Sequence, residues 1–161
     1  MYRHHPLTLA VKQCILDGAI GEIRFVRATF STGLTDRTNW RLRGDLGGGA
    51  VMDLGCYCIN AIRYLIGVEP LSVWATGKFE PISHVWETLI GTLDFGDGIT
   101  GQFDCSFGWT WREGYEVVGT KGTITVPRAL SNDEGECSFT VISNGDAETV
   151  TVEGVNPYGA E

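Results

Sequence analysis

The pattern of apolar and polar positions predicts two amphipathic helices. The first begins at Pro6, a residue suited to a helix N-terminus, and ends before Gly18. The second runs from about Ala50 to Ile66 and is ended by Gly67. Apolar residues in both segments recur every three or four positions, as in helices that bury one face. The buried stripe of the second helix would comprise Val51, Leu54, Cys58, Ile62 and Leu65.

Much of the remaining chain is typical of β-strands, because apolar residues there follow a shorter period. A first strand runs from Ile23 to Phe30, and seven more follow Pro70. Hairpin turns are indicated at Asp97-Gly98, Lys121-Gly122 and Asn144-Gly145. Successive hairpins predict an α+β fold, with a large, mostly antiparallel open sheet and the helices on one face. The later strands are Leu71–Glu80, His84–Phe95, Ile99–Gly108, Tyr115–Gly119, Thr123–Val126, Cys137–Ile142 and Glu148–Val152.

Two features complicate this simple pattern. The segment Ser31–Asp45 carries many polar and charged residues, which favours a loop rather than part of the core. The predicted strands carry large aromatic residues on both faces. These are either core residues or a surface covered by a second subunit or by a missing domain, because monomers seldom expose wide aromatic surfaces. These aromatic residues are Trp74, Trp86, Phe95, Phe103, Phe107, Trp109 and Trp111.

Length and charge narrow the class of protein. A chain of 161 residues suits one domain, spanning 1–161. Twelve basic against twenty acidic residues give a net charge of −8, which would repel a nucleic acid. The chain has no apolar run of membrane-spanning length and no signal-peptide pattern at its start, so neither a membrane nor export is indicated. Five cysteines at irregular spacing suggest reduced thiols in the cytoplasm, and the histidines are not spaced for a metal site.

The most distinctive candidate chemistry follows three consecutive glycines, Gly47–Gly49. Asp53, Tyr57 and Asn60 come next at intervals of four and three residues, which places them on one face of the predicted helix. The glycines could simply open the helix, with Asp53 favoured by the helix dipole and Tyr57 half-buried. Alternatively, they let a ligand approach the backbone, with the aspartate binding a hydroxyl and the phenol exchanging a proton. The sequence has no P-loop, no G-x-G-x-x-G and no G-x-S-x-G motif.

Several segments together resemble the second domain of the Gfo/Idh/MocA oxidoreductases. They are Met1–Pro6, Gly18–Ile23, Trp40-Arg41, the string Gly-Gly-Gly-Ala-Val-Met-Asp-Leu-Gly-Cys-Tyr-Cys-Ile-Asn at Gly47–Asn60, and Tyr64–Gly67. The likeness runs to about Gly122 and is weaker afterwards. A tyrosine stands where most members of the family have histidine, as in the branch of glucose-fructose oxidoreductase, dimeric dihydrodiol dehydrogenase and xylose dehydrogenase.

The resemblance implies hydride transfer between NADP(H) or NAD(H) and a sugar or cyclic diol. It makes Tyr57 the acid/base beside the nicotinamide, and Asp53 a residue that orders the pocket. Arg3, Trp40, Arg41 and Asn60 become further candidates for substrate binding. Separately from the resemblance, the aromatic residues on the open face of the sheet predict a homodimer or larger oligomer assembled through that face.

The chain also departs from the family pattern. It contains no N-terminal Rossmann domain and no Glu-Lys-Pro motif, since none of its lysines, Lys12, Lys78 and Lys121, has that context. We therefore expect a C-terminal domain trimmed at both ends and inactive alone, with the cofactor bound mainly by the absent domain. The alternative is a stand-alone binding or dimerisation module in which the tyrosine is a relic.

Overall fold

The computed structural model describes residues 2–131, 134–156 and 159. Within them lie two α-helices and one eight-stranded sheet, whose strand order is β2-β3-β4-β1-β5-β6-β7-β8. The pairs β2–β3, β3–β4, β5–β6, β6–β7 and β7–β8 are antiparallel. The predicted α+β class and the large, mostly antiparallel open sheet are thus confirmed. The elements are α1 (Pro6–Leu16), β1 (Ile23–Gly33), α2 (Cys56–Ile66), β2 (Ser72–Glu80), β3 (Val85–Asp94), β4 (Thr100–Ser106), β5 (Gly108–Gly119), β6 (Gly122–Pro127), β7 (Gly135–Ser143) and β8 (Asp146–Gly154).

Two of the three predicted hairpin turns form as predicted, at Asp97-Gly98 and Asn144-Gly145, whereas the turn predicted at Lys121-Gly122 lies one residue earlier, between the end of β5 at Gly119 and the start of β6 at Gly122. Asp97 and Gly98 have φ angles of 51° and 75°, and Asn144 and Gly145 have 54° and 93°. Positive φ at both central residues matches the twist of the flanking strands, which is why these residue types favour tight hairpins. The strand predicted at Ile99–Gly108 instead ends at Ser106, and β5 begins at Gly108.

The segment Ser31–Asp45 is only partly the loop that its polarity suggests. Strand β1 continues to Gly33, and short 3-10 helices form at Trp40–Leu42 and Gly44–Leu46. Ser31 is fully buried, and its hydroxyl donates a 2.8 Å hydrogen bond to the carbonyl oxygen of Thr110. The loop prediction is wrong for residues 31–33, because the distant carbonyl of Thr110 satisfies the buried hydroxyl of Ser31 and β1 can continue.

The chain divides into two compact units. One comprises Arg27–Arg112, and the other Met1–Val26 with Glu113–Glu161. In the second, α1 packs on β7 and β8, and Leu7, Val11 and Phe139 are buried. The predicted helix start at Pro6 is confirmed, with the side chain of His5 accepting a hydrogen bond from the backbone of Leu7.

The unit Arg27–Arg112 carries the second predicted helix. Val51–Gly55 forms a π-helical turn that leads directly into α2, so the predicted helical span is confirmed although its first turn is wider. Leu54, Cys58, Ile62 and Leu65 of the predicted stripe are buried, and α2 packs on β4. A Cβ at Gly55 would lie 2.9 Å from the sulfur of Cys105, so glycine there permits close packing.

The aromatic residues divide between core and surface. Phe95, Phe103 and Phe107 are buried, whereas Trp74, Trp86 and Trp111 are exposed. Trp109 is half-buried. Of these residues, the tryptophans contribute most of the aromatic surface of this unit, and Phe79 of β2, which is 44% exposed, adds to it.

Candidate functional site

The site is built around an ion pair between the segment after β1 and the π-helical turn. Arg41 Nε donates a hydrogen bond to Asp53 Oδ2 at 2.9 Å. The guanidinium carbon of Arg41 also lies 4.6 Å from the ring centroid of Trp40, a cation–π distance. The Asn39 side chain accepts a hydrogen bond from the Arg41 backbone at 3.0 Å, capping the short 3-10 helix. Three predicted site residues, Trp40, Arg41 and Asp53, are thus brought together.

This cluster remains open to solvent. The Trp40 side chain is about half exposed at 51%. The side chains of Arg41 and Asp53 are 37% and 23% exposed, respectively. A carboxylate held by one guanidinium nitrogen retains lone pairs that can accept hydrogen bonds from hydroxyl groups. Beside an exposed indole face, this combination suits a polyhydroxylated ligand.

The three glycines position this cluster rather than cradle a ligand. The N–H groups of Gly47, Gly48 and Gly49 donate to the carbonyl oxygens of Gly44, Arg43 and Arg41, at 3.1, 2.9 and 2.8 Å respectively. The carbonyl oxygen of Gly49 then accepts from Met52 and Asp53, which opens the helix. Of the two interpretations of the triglycine, the structure supports the helix entry, because these donors are already used.

The glycines are nevertheless required by close backbone contact. A Cβ at Gly48 would lie 2.5 Å from the carbonyl oxygen of Arg41. Gly49 has a φ of 118°, which side-chain-bearing residues rarely adopt. The glycine run therefore folds the Arg41 backbone against the helix entry and places its side chain beside Asp53.

Tyr57 lies on the first turn of α2 and is half-buried. Its ring packs edge-to-face on Phe30, with centroids 6.0 Å apart. Phe30 in turn packs edge-to-face on Trp111 at 5.6 Å. This row of rings fixes the phenol through apolar contacts, as expected for aromatic pairs. Asn60, three residues further along α2 and half-buried, neighbours Tyr57 on the helix surface.

Arg3 is the predicted site residue that lies in the other unit. It is exposed in the short 3-10 helix Tyr2–His4. Its role in substrate binding stays a prediction.

Sequence reasoning missed the aromatic support of Tyr57. Phe30 was identified only as a strand residue, and Trp111 only as one of several core or interface aromatics. Phe30 is 6% exposed while Trp111 is 57% exposed, so one ring anchors the row and the other presents a surface. Alternation along β1 could have placed Phe30 on the buried face with Val26 and Ala28, but its contact with α2 is tertiary.

The cysteines beside Tyr57 are poor nucleophiles. Burial raises the pKa of the Cys58 thiol well above its usual value, and burial likewise raises the pKa of Cys105 to about 12. The pKa of the exposed Cys56 is also raised, chiefly by partial desolvation. Since the thiolate is the reactive form, these side chains act as small apolar groups.

The described residues offer neither a metal cluster nor a membrane span. Across 2–131, 134–156 and 159, no group of three or more His, Cys, Asp or Glu side chains is placed to hold a metal ion. No helix in the described part of the chain is both long and apolar enough to cross a bilayer.

A dinucleotide cofactor does not fit the glycine run. Pyrophosphate binding at a helix N-terminus needs backbone N–H groups that point at the phosphate. The N–H groups of Gly47–Gly49 are bonded to backbone carbonyls instead. The glycine run itself therefore does not supply the usual phosphate cradle.

Comparison with known proteins identifies relatives of the whole chain. The family model described as the GFO/IDH/MocA C-terminal domain matches residues 8–125. D-xylose 1-dehydrogenase (NADP(+)) 2 from Haloferax volcanii is 31% identical over 163 residues, covering 100% of this chain and 50% of that protein. Trans-1,2-dihydrobenzene-1,2-diol dehydrogenase from Bos taurus is 32% identical over 124 residues, covering 74% of this chain and 36% of the other.

The fold also matches solved structures. A 3-ketoreductase from Actinomadura kijaniata, crystallised with NADP and TDP-benzene, superposes with a TM-score of 0.88 at 23% identity. The superposition covers 99% of this chain and 49% of the other. At this identity the match shows the fold alone. This chain spans half or less of the length of these relatives.

Proposed function

The chain belongs to the GFO/IDH/MocA family as its C-terminal domain, and from this premise we propose that it is the substrate-binding domain of an NAD(P)-dependent oxidoreductase. The substrate would be a sugar or a cyclic diol. The Arg41–Asp53 pair beside the exposed Trp40 is the observation that carries the proposal. The named activities of the xylose and dihydrobenzenediol dehydrogenases support this substrate class.

Each side chain has a distinct proposed role. The Tyr57 hydroxyl gives a proton to, or takes one from, the substrate oxygen whose carbon changes oxidation state. Asp53, fixed by Arg41, accepts a hydrogen bond from a neighbouring substrate hydroxyl. Trp40 offers an apolar face to the ring of the substrate, while Asn60 supplies a further polar contact. The nicotinamide cofactor supplies hydride chemistry when it is bound.

By the family resemblance the cofactor would be held mainly by residues outside this chain, and the glycine run, whose N–H groups are already bonded, would not bind its phosphates. We therefore expect the chain alone to oxidise NADPH or NADH with a panel of aldoses no faster than background. Turnover above background would contradict this part of the proposal.

Sugar binding to the chain itself tests the site. Titration with xylose or glucose should change tryptophan fluorescence in a saturable way, because Trp40 lies beside the site. Asp53→Asn should weaken the binding, since the neutral amide loses the charge that pairs with Arg41 and replaces one of the two acceptor oxygens by a donor. Asp45→Asn is the matched control, because Asp45 forms a similar pair with Arg43 but lies 62% exposed.

The alternative, a stand-alone binding or dimerisation module with Tyr57 as a relic, predicts a different result. In that case no aldose gives a saturable change, or Asp53→Asn behaves like Asp45→Asn. Either result would contradict the substrate-binding proposal.

Assembly with a second copy is a further part of the proposal. In edge strand β2, the residues from Ser72 to Phe79 are all exposed. Trp74 is 64% exposed, and Trp86 on the neighbouring strand is 42% exposed. Wide apolar surface on a soluble protein marks an interaction site, and a stable interface should bury more than about 1,000 Å² in total. Light scattering should show a dimer or larger species, and Trp74→Ser should weaken this association. A monomer at high micromolar concentration would contradict the proposed assembly.

A further inference from the structure

Glu87 is a buried carboxylate that the proposed site does not use. It lies on β3, and only 7% of the residue is exposed. Glu87 is the extra residue of a β-bulge in the pairing with β2: Lys78 pairs with Thr88, but Phe79 pairs with Trp86. Its backbone therefore has no paired residue in β2, whereas on the other side its carbonyl oxygen accepts a hydrogen bond from the Phe107 N–H. Bulges commonly re-aim a side chain, and a buried carboxylate is costly unless it is paired.

Two cations from different segments pair with this carboxylate. Lys78 Nζ, from β2, lies 2.5 Å from Oε2. Arg37 Nη1, from the segment after β1, donates to Oε1 at 3.4 Å. The Lys78 hydrogen bond, with a smaller effect from Arg37, lowers the pKa of Glu87 against the effect of burial. A buried charge of this kind is weak evidence for stability, but it can specify one arrangement of the segments it joins.

The same segment contacts the β2–β3 hairpin a second time. The Gly44 N–H donates to the carbonyl oxygen of Ser83 at 2.9 Å. A Cβ at Gly44 would lie 2.7 Å from the carbonyl oxygen of His84, so the two backbones are closely packed. Trp40 and Arg41 lie between the two attachment points, Arg37 and Gly44.

We propose that Glu87 is a positioning residue: through Arg37 it holds the segment after β1 against the β2–β3 hairpin, so that Trp40 and Arg41 meet Asp53. The expected effect of Glu87 on sugar binding rests on the proposed function. The docking of the segment after β1 against the β2–β3 hairpin does not. Glu87 acts here through Arg37 and makes no contact with substrate.

Amide hydrogen exchange, measured by NMR on the whole chain without sugar, tests the docking. In Glu87→Gln the Gly44 amide should exchange about fivefold faster, the change in opening expected for losing a partly exposed ion pair. Amides in the β3–β4 ladder should keep their rates. Glu69→Gln is the matched control, because it removes one carboxylate from an exposed pair with Arg63 elsewhere in the same unit.

A second variant separates docking from general stability. Arg37→Gln alters an exposed side chain and should reproduce the faster Gly44 exchange even if Glu87→Gln folds poorly. The double variant should be no faster than Glu87→Gln, because Glu87→Gln already removes the interaction that Arg37→Gln removes. Equal acceleration of all amides, an unchanged Gly44 rate, or additive effects of the two substitutions would overturn the proposal.

Sugar titration of the same variants completes the test. Glu87→Gln should raise the sugar dissociation constant severalfold while leaving the fluorescence change at saturation intact. An unchanged dissociation constant would overturn the positioning role. Failure of the wild-type chain to bind any sugar would instead refute the proposed function, and the exchange data would still decide the docking.

Discussion

Replacing Gly48 by alanine tests how the glycine run positions the site. The new Cβ would lie 2.5 Å from the carbonyl oxygen of Arg41 and 2.8 Å from that of Arg43. Both neighbours are backbone atoms, which cannot rotate away as a side-chain end can, so the segment itself must move. That movement strains or breaks the hydrogen bonds from Gly48 to Arg43 and from Gly49 to Arg41.

The expected cost follows from these two effects. Overpacking in a close-packed site costs about 1–3 kcal/mol, and a lost backbone hydrogen bond costs about 1 kcal/mol. The free energy of unfolding should therefore fall by about 2–4 kcal/mol in Gly48→Ala. Urea unfolding followed by tryptophan fluorescence measures this change.

Two further glycines provide controls in the same unit. Gly47 has a φ of 72° but open space around it, so Gly47→Ala should cost about 1–2 kcal/mol from backbone strain alone. A Cβ at Gly33 would lie 3.5 Å from the Trp109 carbonyl oxygen, an ordinary contact, so Gly33→Ala should cost less than about 0.5 kcal/mol. The reasoning is refuted if Gly48→Ala is no more destabilised than Gly47→Ala.

Two other predictions concern titratable groups. Maleimide labelling of the native chain at pH 8 should spare Cys58 and Cys105, because burial raises the pKa of both thiols. Both should react after unfolding. Labelling of Cys105 in the native chain, detected by mass spectrometry, would contradict this prediction. The pKa of Glu87 is lowered in the folded chain, chiefly by Lys78. Its ion pairs therefore stabilise the fold fully above the usual glutamate pKa of about 4.3. This stabilisation is lost as the pH falls through the folded-state pKa of Glu87. The unfolding free energies of wild type and Glu87→Gln should therefore differ most near neutral pH and converge as the pH falls below the lowered folded-state pKa of Glu87. A difference that does not change with pH would refute this reasoning.

The local features of the fold were predictable because few residues determine them. Asp97-Gly98 specifies its turn by a positive φ at both positions, and the stripe of α2 specifies a helix by its spacing. The burial of Ser31 was not predictable, because the carbonyl that accepts from its hydroxyl, that of Thr110, lies 79 residues away. Polarity alone therefore indicated a loop where β1 continues.

In the candidate site, too, individual residues were predictable from the sequence but the contacts between them were not. Asp53 and Tyr57 were identified from their helical spacing, and Trp40 and Arg41 from the family resemblance. Neither revealed the ion pair that joins Arg41 to Asp53 across 12 residues. Glu87 gave no sequence signal, because its Arg37 partner lies 50 residues away. Such pairs depend on the tertiary arrangement of the sheet and its loops, which no local pattern records.

The turnover of Tyr57→Phe tests the central claim most directly. It would be measured in the polypeptide that joins this chain to a nucleotide-binding domain, with NADP(H) and an aldose as substrates. The account predicts that kcat falls by about 10²–10⁴-fold while KM changes little, because only proton transfer is lost. Tyr64→Phe, on the same helix, should keep wild-type turnover. A Tyr57→Phe enzyme whose kcat stays within about twofold of wild type would contradict the assignment of Tyr57 as the acid/base.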